Sequence, residues 1–406
     1  MDTSTQTATT AGPLAGLRIV DLSTVVAGPF ASALLGDLGA DVIKVEMPVV
    51  GDALRALAPH KDGVGLWSKV TNRNKRGVTL DLRKADAREP LARLLRGADV
   101  VVENFRPGTL DGWGITRSWL HEVEPKLTIL RVTGFGQTGP YRDRPGFARV
   151  FEAMSGFTHI CGDVHGTPLH LGYPISDAIG GLFGAIGVLA ALHRRAVEPA
   201  LAGQEIDCSV TEAMLRVLEF MPIEYDQLGA VRERSGNTSQ YAAPGNVYRT
   251  KDGRWASIAA STQSIFGRLA TALNRSDWLA DPRYADNRAR LAHRAELDAE
   301  VAAAIGSFDL DALRVRLADH EVGFSPINDI ADVFEDPQFI AREALVTVPD
   351  RELGDVRMQG VVPRFSATPG RVRSAGPALG EHNDAVWAAL GYRAEEIAAL
   401  RAAHVI

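Results

Sequence analysis

The sequence predicts an α/β protein: a mostly parallel, covered sheet in the first half, then a smaller α+β region. Two observations carry this. Short apolar runs of the buried-strand type alternate with segments of helical spacing from residue 14 to about residue 228. At about residue 230 the texture turns polar and turn-rich (RERSGNTSQYAAPGN, 232–246), and the patterns beyond it are those of a hairpin and short helices.

Taken in order, residues 1–13 are rich in Thr and Ala and read as a disordered tail. Residues 17–22 (LRIVDL) form a strand, 29–38 have helical spacing with Pro29 in the first turn, and 41–46 (DVIKVE) form a second strand. That is a βαβ unit with a right-handed crossover. Strands are predicted at 78–82, 99–103 and 127–132, with helices at 85–95 and 119–123. A long helix is expected from about 178 to 195, then a strand over 205–210 and a helix over 212–228. In the second region, 247–260 reads as a hairpin turning over Lys251, Asp252 and Gly253. Helices follow at 265–273, 297–305 and 310–317, and residues 385–405 carry two more, split at Gly391 and Tyr392.

At 406 residues the chain is long for one domain, so two are expected. The net charge of −6 sets up no basic field for nucleic acid or an anionic membrane. Cys161 and Cys208 cannot build a disulfide framework and fit a reducing, cytoplasmic setting. The apolar, uncharged stretch 178–192 is too short to read as a membrane span, and the N-terminus does not read as a signal peptide.

Several familiar chemistries drop out. The loop after the first strand, 23–29, has a single glycine, Gly28, where a dinucleotide fingerprint needs three. There is no GxxxxGK[ST] and no GxSxG. His159, Cys161, His165 and His170 fall close together, but their spacing fits no zinc pattern, so no metal is expected. Asp177 stands apart. It opens an apolar helix containing Gly180, Gly181 and Gly184. One reading is a helix N-cap. The other is a nucleophile kept ionised by the helix end, with the glycines admitting a ligand or chain segment. Composition and spacing do not choose between them.

The motifs as a set resemble the family III CoA-transferases (CaiB/BaiF-like), which include the formyl-CoA:oxalate and carnitine enzymes and, more distantly, α-methylacyl-CoA racemase. The carriers are PLAGLRIVDLSTVVAGP (13–29), GDLGADVIKVE (36–46), NRNKRGVTLDLR (72–83), VVENFRPGTLDGWG (101–114), TGFGQTGPYRDRPGF (133–147), PISDAIGGLFGAIGVLAALHRR (174–195), GQEIDCSVTEAM (203–214) and GEHNDAVWAALGYRAEEIAAL (380–400). The resemblance implies a large Rossmann-like α/β domain from residues 14–228 and 340–406 that binds CoA, a small α+β domain with linkers at 229–339, and an interlocked homodimer. It implies a CoA-transferase with Asp177 as nucleophile, passing through mixed anhydrides and an aspartyl-CoA thioester. Acyl-CoA and free carboxylic acids are its substrates, and no cofactor is tightly bound. CoA contacts carry over to Val25, Val26, Leu80, Asp81, Leu82, Arg83, Asn104, Phe105 and Arg106. Lys75, Arg76 and Arg83 are either a solvated basic cluster or partners for CoA phosphates.

Departures narrow the reading. Where racemases carry a histidine, this chain has Phe147, which cannot exchange a proton. The glycine run of the formyl-CoA enzymes is replaced by residues 237–243 (NTSQYAA), and basic residues are missing at Met47 and Gly112. Arg149 is a candidate for the far carboxylate of a dicarboxylic substrate such as succinate, or else an ion-pair partner of Glu152. Gln240 and Tyr241 are candidate acceptor contacts. The alternatives are a 2-methylacyl-CoA racemase and a non-catalytic acyl-CoA-binding protein.

Overall fold

Six parallel strands form the main sheet: β1 (Arg18–Asp21), β2 (Asp41–Glu46), β3 (Lys75–Thr79), β4 (Val100–Glu103), β5 (Thr128–Thr133) and β6 (Glu205–Ser209). Their order is β3-β2-β1-β4-β5-β6, with Val20 opposite Ile43 on one side and Val101 on the other. This is a doubly wound order that reverses between β1 and β4, and ligands of such sheets sit there, beyond the carboxyl ends of the strands. The computed structural model describes residues 11–406, so residues 1–10 of the expected tail lie outside the described residues.

The chain divides into two units. One runs to Phe157 and takes in Leu171–Ile223 and Gln338–Ile406; the other comprises Thr158–His170 and Glu224–Pro337. In the first unit, one face of the sheet packs on helices Ala27–Asp37 and Ile175–Val197, burying Ala31, Leu35, Ala185 and Val188 with Leu130 and Val132. The other face buries Leu91, Leu94 and Leu120 together with Val386, Trp387, Ile397 and Ile406 from the C-terminal segment. That segment is also pinned to β3: Asn383 accepts from the Thr79 N–H at 2.8 Å, and the Val405 carbonyl accepts from the Asp81 N–H at 2.8 Å. The second unit has a three-stranded antiparallel sheet, Gly245–Arg249, Trp255–Ala259 and Phe324–Pro326, packed on helices around Phe266, Trp278, Leu297 and Leu313.

Four expectations need correction. The third strand is 75–79 rather than 78–82, because Lys75 and Arg76 enter the sheet as ion-paired residues: Lys75 is buried on Asp21 at 2.9 Å and Arg76 meets Asp41 at 2.6 Å. Neither Lys75 nor Arg76 therefore belongs to a loose solvated cluster. The helix expected over 212–228 is two, Val210–Val217 and Met221–Leu228; Glu219 turns left-handed at φ 46° and Pro222 opens the second. The long helix is Ile175–Val197, by length and composition enough to cross a bilayer, but it packs between sheet and helix here. At Gly181 a Cβ would stand 2.7 Å from the Ala27 carbonyl oxygen, so this glycine does admit another chain segment, as one of the two expected roles has it.

Candidate active site

Under the reversal point lies a buried ion network that fixes the loop after β1. Asp21 ends β1 with no exposed surface and accepts from Ser23, from Ser32 at 2.6 Å and from Lys75 at 2.9 Å. Lys44, in β2, is equally buried; it donates to the Ser23 carbonyl and pairs with Asp52 at 3.3 Å. The lysines and hydroxyls hold the Asp21 carboxyl far below its ordinary range despite its burial. Such a network contributes a fixed geometry more than net stability.

Its consequence is the shape of residues 23–26. The Val25 N–H donates to both Asp52 oxygens, at 3.0 and 3.1 Å, and Val25 sits at φ 63°, a left-handed conformation unfavourable for a β-branched residue. Thr24 and Asn104 clamp each other, the Thr24 N–H donating to Oδ1 and Nδ2 to the Thr24 carbonyl, both at 2.7 Å. The loops following β1 and β4 are thereby tied together. The Asn104 turn is braced from below by Glu103, which accepts the Phe105 N–H at 2.8 Å. Burial pushes the Glu103 carboxyl up to about 7, with Arg131 opposing.

Two cavities open above these loops. The first is lined by Thr24–Ala27, Asn104–Pro107, Arg142, Arg144, Phe147 and Asp177, among others. The second is bordered by Leu22, Met47, Val50, Leu80, Leu82, Arg83 and Trp113. Thr24 and Phe105 line both. Five of the residues singled out for CoA (Val25, Val26, Asn104, Phe105 and Arg106) thus meet Asp177 in the first cavity, and Leu80, Leu82 and Arg83 border the second. Asp81 lines neither; it holds Arg83 through paired bonds of 2.8 and 2.9 Å.

Asp177 is not a cap. The helix starts at Ile175 with Pro174 at the N-cap position, which places Asp177 third, in the first turn. Among the described residues, no N–H or O–H donates to its carboxylate. Its neighbour Ser176 anchors the turn by donating to the Ala148 carbonyl at 2.9 Å. Burial, and then the negative charge of Glu152, push the Asp177 carboxyl up to about 6. The expectation that the helix end keeps it ionised holds only above that pH. What remains at neutral pH is a carboxylate of raised basicity, unoccupied by hydrogen bonds and facing a cavity with three arginines.

Phe147, 78% exposed, precedes helix Ala148–Met154 and lines the same cavity, so no imidazole stands there. Arg149 is exposed on that helix and outside the cavity lining. Gln240 and Tyr241 belong to the second unit, where both meet Arg232, the Tyr241 ring with its centroid 5.2 Å from the guanidinium. His159, Cys161, His165 and His170 are in that unit as well. Among the described residues, no group of three or more His, Cys, Asp or Glu side chains is placed to hold a metal ion.

Sequence reasoning missed Asp52, Lys44, Arg142, Arg144 and Glu152 as parts of the site. Lys44 carried a signal: a lone charge inside the apolar run DVIKVE demands a buried partner. The arginines carried none, since a guanidinium on a loop is ordinary until the fold brings it over a pocket.

Comparison with known proteins shows the family. Residues 14–383 match the model of CoA-transferase family III. The succinyl-CoA–D-citramalate CoA-transferase of Chloroflexus aurantiacus is 43% identical over 396 residues, 97% of this chain and 98% of that one. The succinate–glutarate CoA-transferase of Agrobacterium fabrum is 36% identical, over 93% and 96%. A CaiB/BaiF family protein from Brucella suis, solved by crystallography, superposes with a TM-score of 0.85 at 36% identity, covering 94% of this chain and all of that one. The chain belongs to the family III CoA-transferases.

Proposed function

We propose that this protein moves CoA from an acyl-CoA donor, succinyl-CoA foremost, to a free carboxylic acid, with Asp177 as nucleophile. The observation that carries the reading is the Asp177 carboxyl itself. It lies at the sheet's reversal point, in an arginine-lined cavity, and among the described residues it has no hydrogen-bond donor or ion-pair partner. Two relatives whose names pair succinate or succinyl-CoA with a second acid support the donor.

The steps conserve the thioester's energy. A carboxylate oxygen of Asp177 attacks the donor's thioester carbonyl; the C–S bond breaks, leaving an acyl-aspartyl anhydride and CoA thiolate. The thiolate attacks the aspartyl carbonyl, the anhydride C–O bond breaks, and the donor acid leaves as a carboxylate. The acceptor carboxylate then attacks the aspartyl-CoA thioester and expels the thiolate. Attack of that thiolate on the acceptor's acyl carbon releases acyl-CoA and restores Asp177. No net proton is exchanged.

In this reading Val25, Val26, Asn104, Phe105 and Arg106 contact CoA near its thiol end. The apolar slot of Leu80, Leu82 and Trp113, with Arg83 at its edge and Asp81 holding that guanidinium, takes the remainder of the molecule. Gln240 and Tyr241 serve the acceptor. The protein works as an interlocked homodimer in the cytoplasm, without a tightly bound cofactor or metal. Incubation with succinyl-CoA, a hydroxylamine quench and peptide mass spectrometry test the reading: a hydroxamate at Asp177 supports it, and its absence with every acyl-CoA offered removes it. Sedimentation of the purified protein tests the dimer.

A further inference from the structure

The cavity holding Asp177 has one carboxyl and three guanidiniums, Arg106, Arg142 and Arg144. Arg106 belongs to the turn assigned above to CoA. Arg142 is engaged with its neighbour Asp143 at 3.3 Å. Arg144 differs from both. Among the described residues it has no carboxylate partner, yet its guanidinium lies over the Tyr141 ring, 3.6 Å from the centroid, and the backbone N–H of Arg144 donates to the Tyr141 carbonyl at 2.9 Å.

The support beneath Tyr141 reaches the core. Tyr141 meets Phe135 edge-on at 6.2 Å, and Phe135 meets the buried Phe151 edge-on at 5.3 Å. Both necks of the loop cross that same Phe151 ring. A Cβ at Gly134 would lie 2.3 Å from it and one at Gly146 2.5 Å, so neither position admits a side chain. Asp207 closes the base, accepting the Gln137 N–H at 3.0 and 2.9 Å. A guanidinium stacked on a braced aromatic ring has little freedom left to lose on pairing with an anion.

We propose that Arg144 is a carboxylate subsite: it receives the free carboxylate of a short dicarboxylic acyl group while the other end reacts at Asp177. The proposal rests on the transferase reading and deepens it. A planar fork of N–H donors matches a carboxylate through two parallel bonds, whereas a monocarboxylic acyl chain ends in methyl groups and leaves the fork unsatisfied. Discrimination here comes from a charge-assisted pair, which separates substrates far better than one methylene does. The position also accounts for the distal carboxylate without Arg149, which the fold leaves outside the cavity.

The test compares succinyl-CoA with butyryl-CoA, equal in chain length and differing in the terminal carboxylate, each with one fixed acceptor acid. In R144M the ratio of kcat/KM for succinyl-CoA over butyryl-CoA falls at least about tenfold, the worth of one hydrogen-bonded charge. R144K gives a smaller fall, because the charge stays and the fork is lost. Y141F keeps the ratio, whereas Y141A lowers it chiefly by raising KM for succinyl-CoA. An unchanged ratio in R144M, through equal loss on both donors or through none, overturns the proposal. So does a ratio that falls in R149A and holds in R144M. A wild-type enzyme that transfers CoA from no donor contradicts the proposed function itself, and the subsite with it.

Discussion

The Val25 N–H is shared between the two carboxylate oxygens of Asp52, at 3.0 and 3.1 Å, and this fork holds a β-branched residue left-handed at the mouth of the Asp177 cavity. Asp52 can do so because Lys44 neutralises it from below, and Lys44 is buried because Asp21 and the Ser23 carbonyl receive it. The loop's shape is thus set by charges within the sheet.

Removing that support has a cost that can be measured. D52A leaves Lys44 short of a partner in a buried site and lowers unfolding stability by about 3 kcal/mol or more, read by denaturant titration. V25G, which keeps the N–H and sheds the strained Cβ, changes stability by less than about 1 kcal/mol. A D52A protein as stable as wild type would show that the loop does not depend on the fork.

Activity should follow the ionisation of Asp177. With its carboxyl pushed up to about 6, the nucleophilic form is lost below that pH, so kcat/KM rises with pH and levels above about 7. Glu152 contributes to the upward push, so E152Q moves the acid limb to lower pH. A limb that stays near pH 6 in E152Q would remove Glu152 from the explanation.

The same carboxyl costs stability. Because its folded pKa is raised, the folded state binds this proton more tightly than the unfolded chain does. Its favourable contribution is complete below about pH 3.8 and is lost as pH rises through about 6. D177N removes the burden. Its melting temperature should exceed that of wild type at pH 8 and converge with it near pH 4, with a gain of at most about 3 kcal/mol. The variant should also lose at least ~10³-fold in kcat.

Much of this was legible in the sequence. Runs such as LRIVDL and DVIKVE gave the parallel sheet, because strands covered on both faces leave an apolar imprint. Asp177 stood out by its place before a glycine-rich helix. The true start of the third strand is hidden in the sequence, because Lys75 and Arg76 look like surface residues until Asp21 and Asp41 are brought beside them. The hairpin of Leu345–Asp350 and Gly354–Gln359 leaves little imprint on the sequence: its alternating faces are short, and Lys69, far away in sequence, anchors it on Asp350 at 2.7 Å. Arg144 acquires its meaning only from a ring stack assembled by the fold.

Glycines separate into two classes by what surrounds them. G181A gains about 1 kcal/mol of helix propensity but drives a methyl to 2.7 Å from the Ala27 carbonyl oxygen, and a net loss is expected because overpacking costs about 1–3 kcal/mol. Gly267, in the helix Gln263–Ala272, has nothing within 4 Å of its missing Cβ. G267A should therefore stabilise by about 0.5–1 kcal/mol in the same thermal assay. Equal effects at the two sites would mean that helix Ile175–Val197 yields to the added methyl.

The most direct measurement is to trap the enzyme on succinyl-CoA with hydroxylamine and sequence the modified peptide. A hydroxamate on Asp177, absent from D177N and from enzyme treated with free succinate, is the expected result. A hydroxamate on any other carboxyl, or full transfer activity in D177N, would contradict the assignment of Asp177 as the nucleophile.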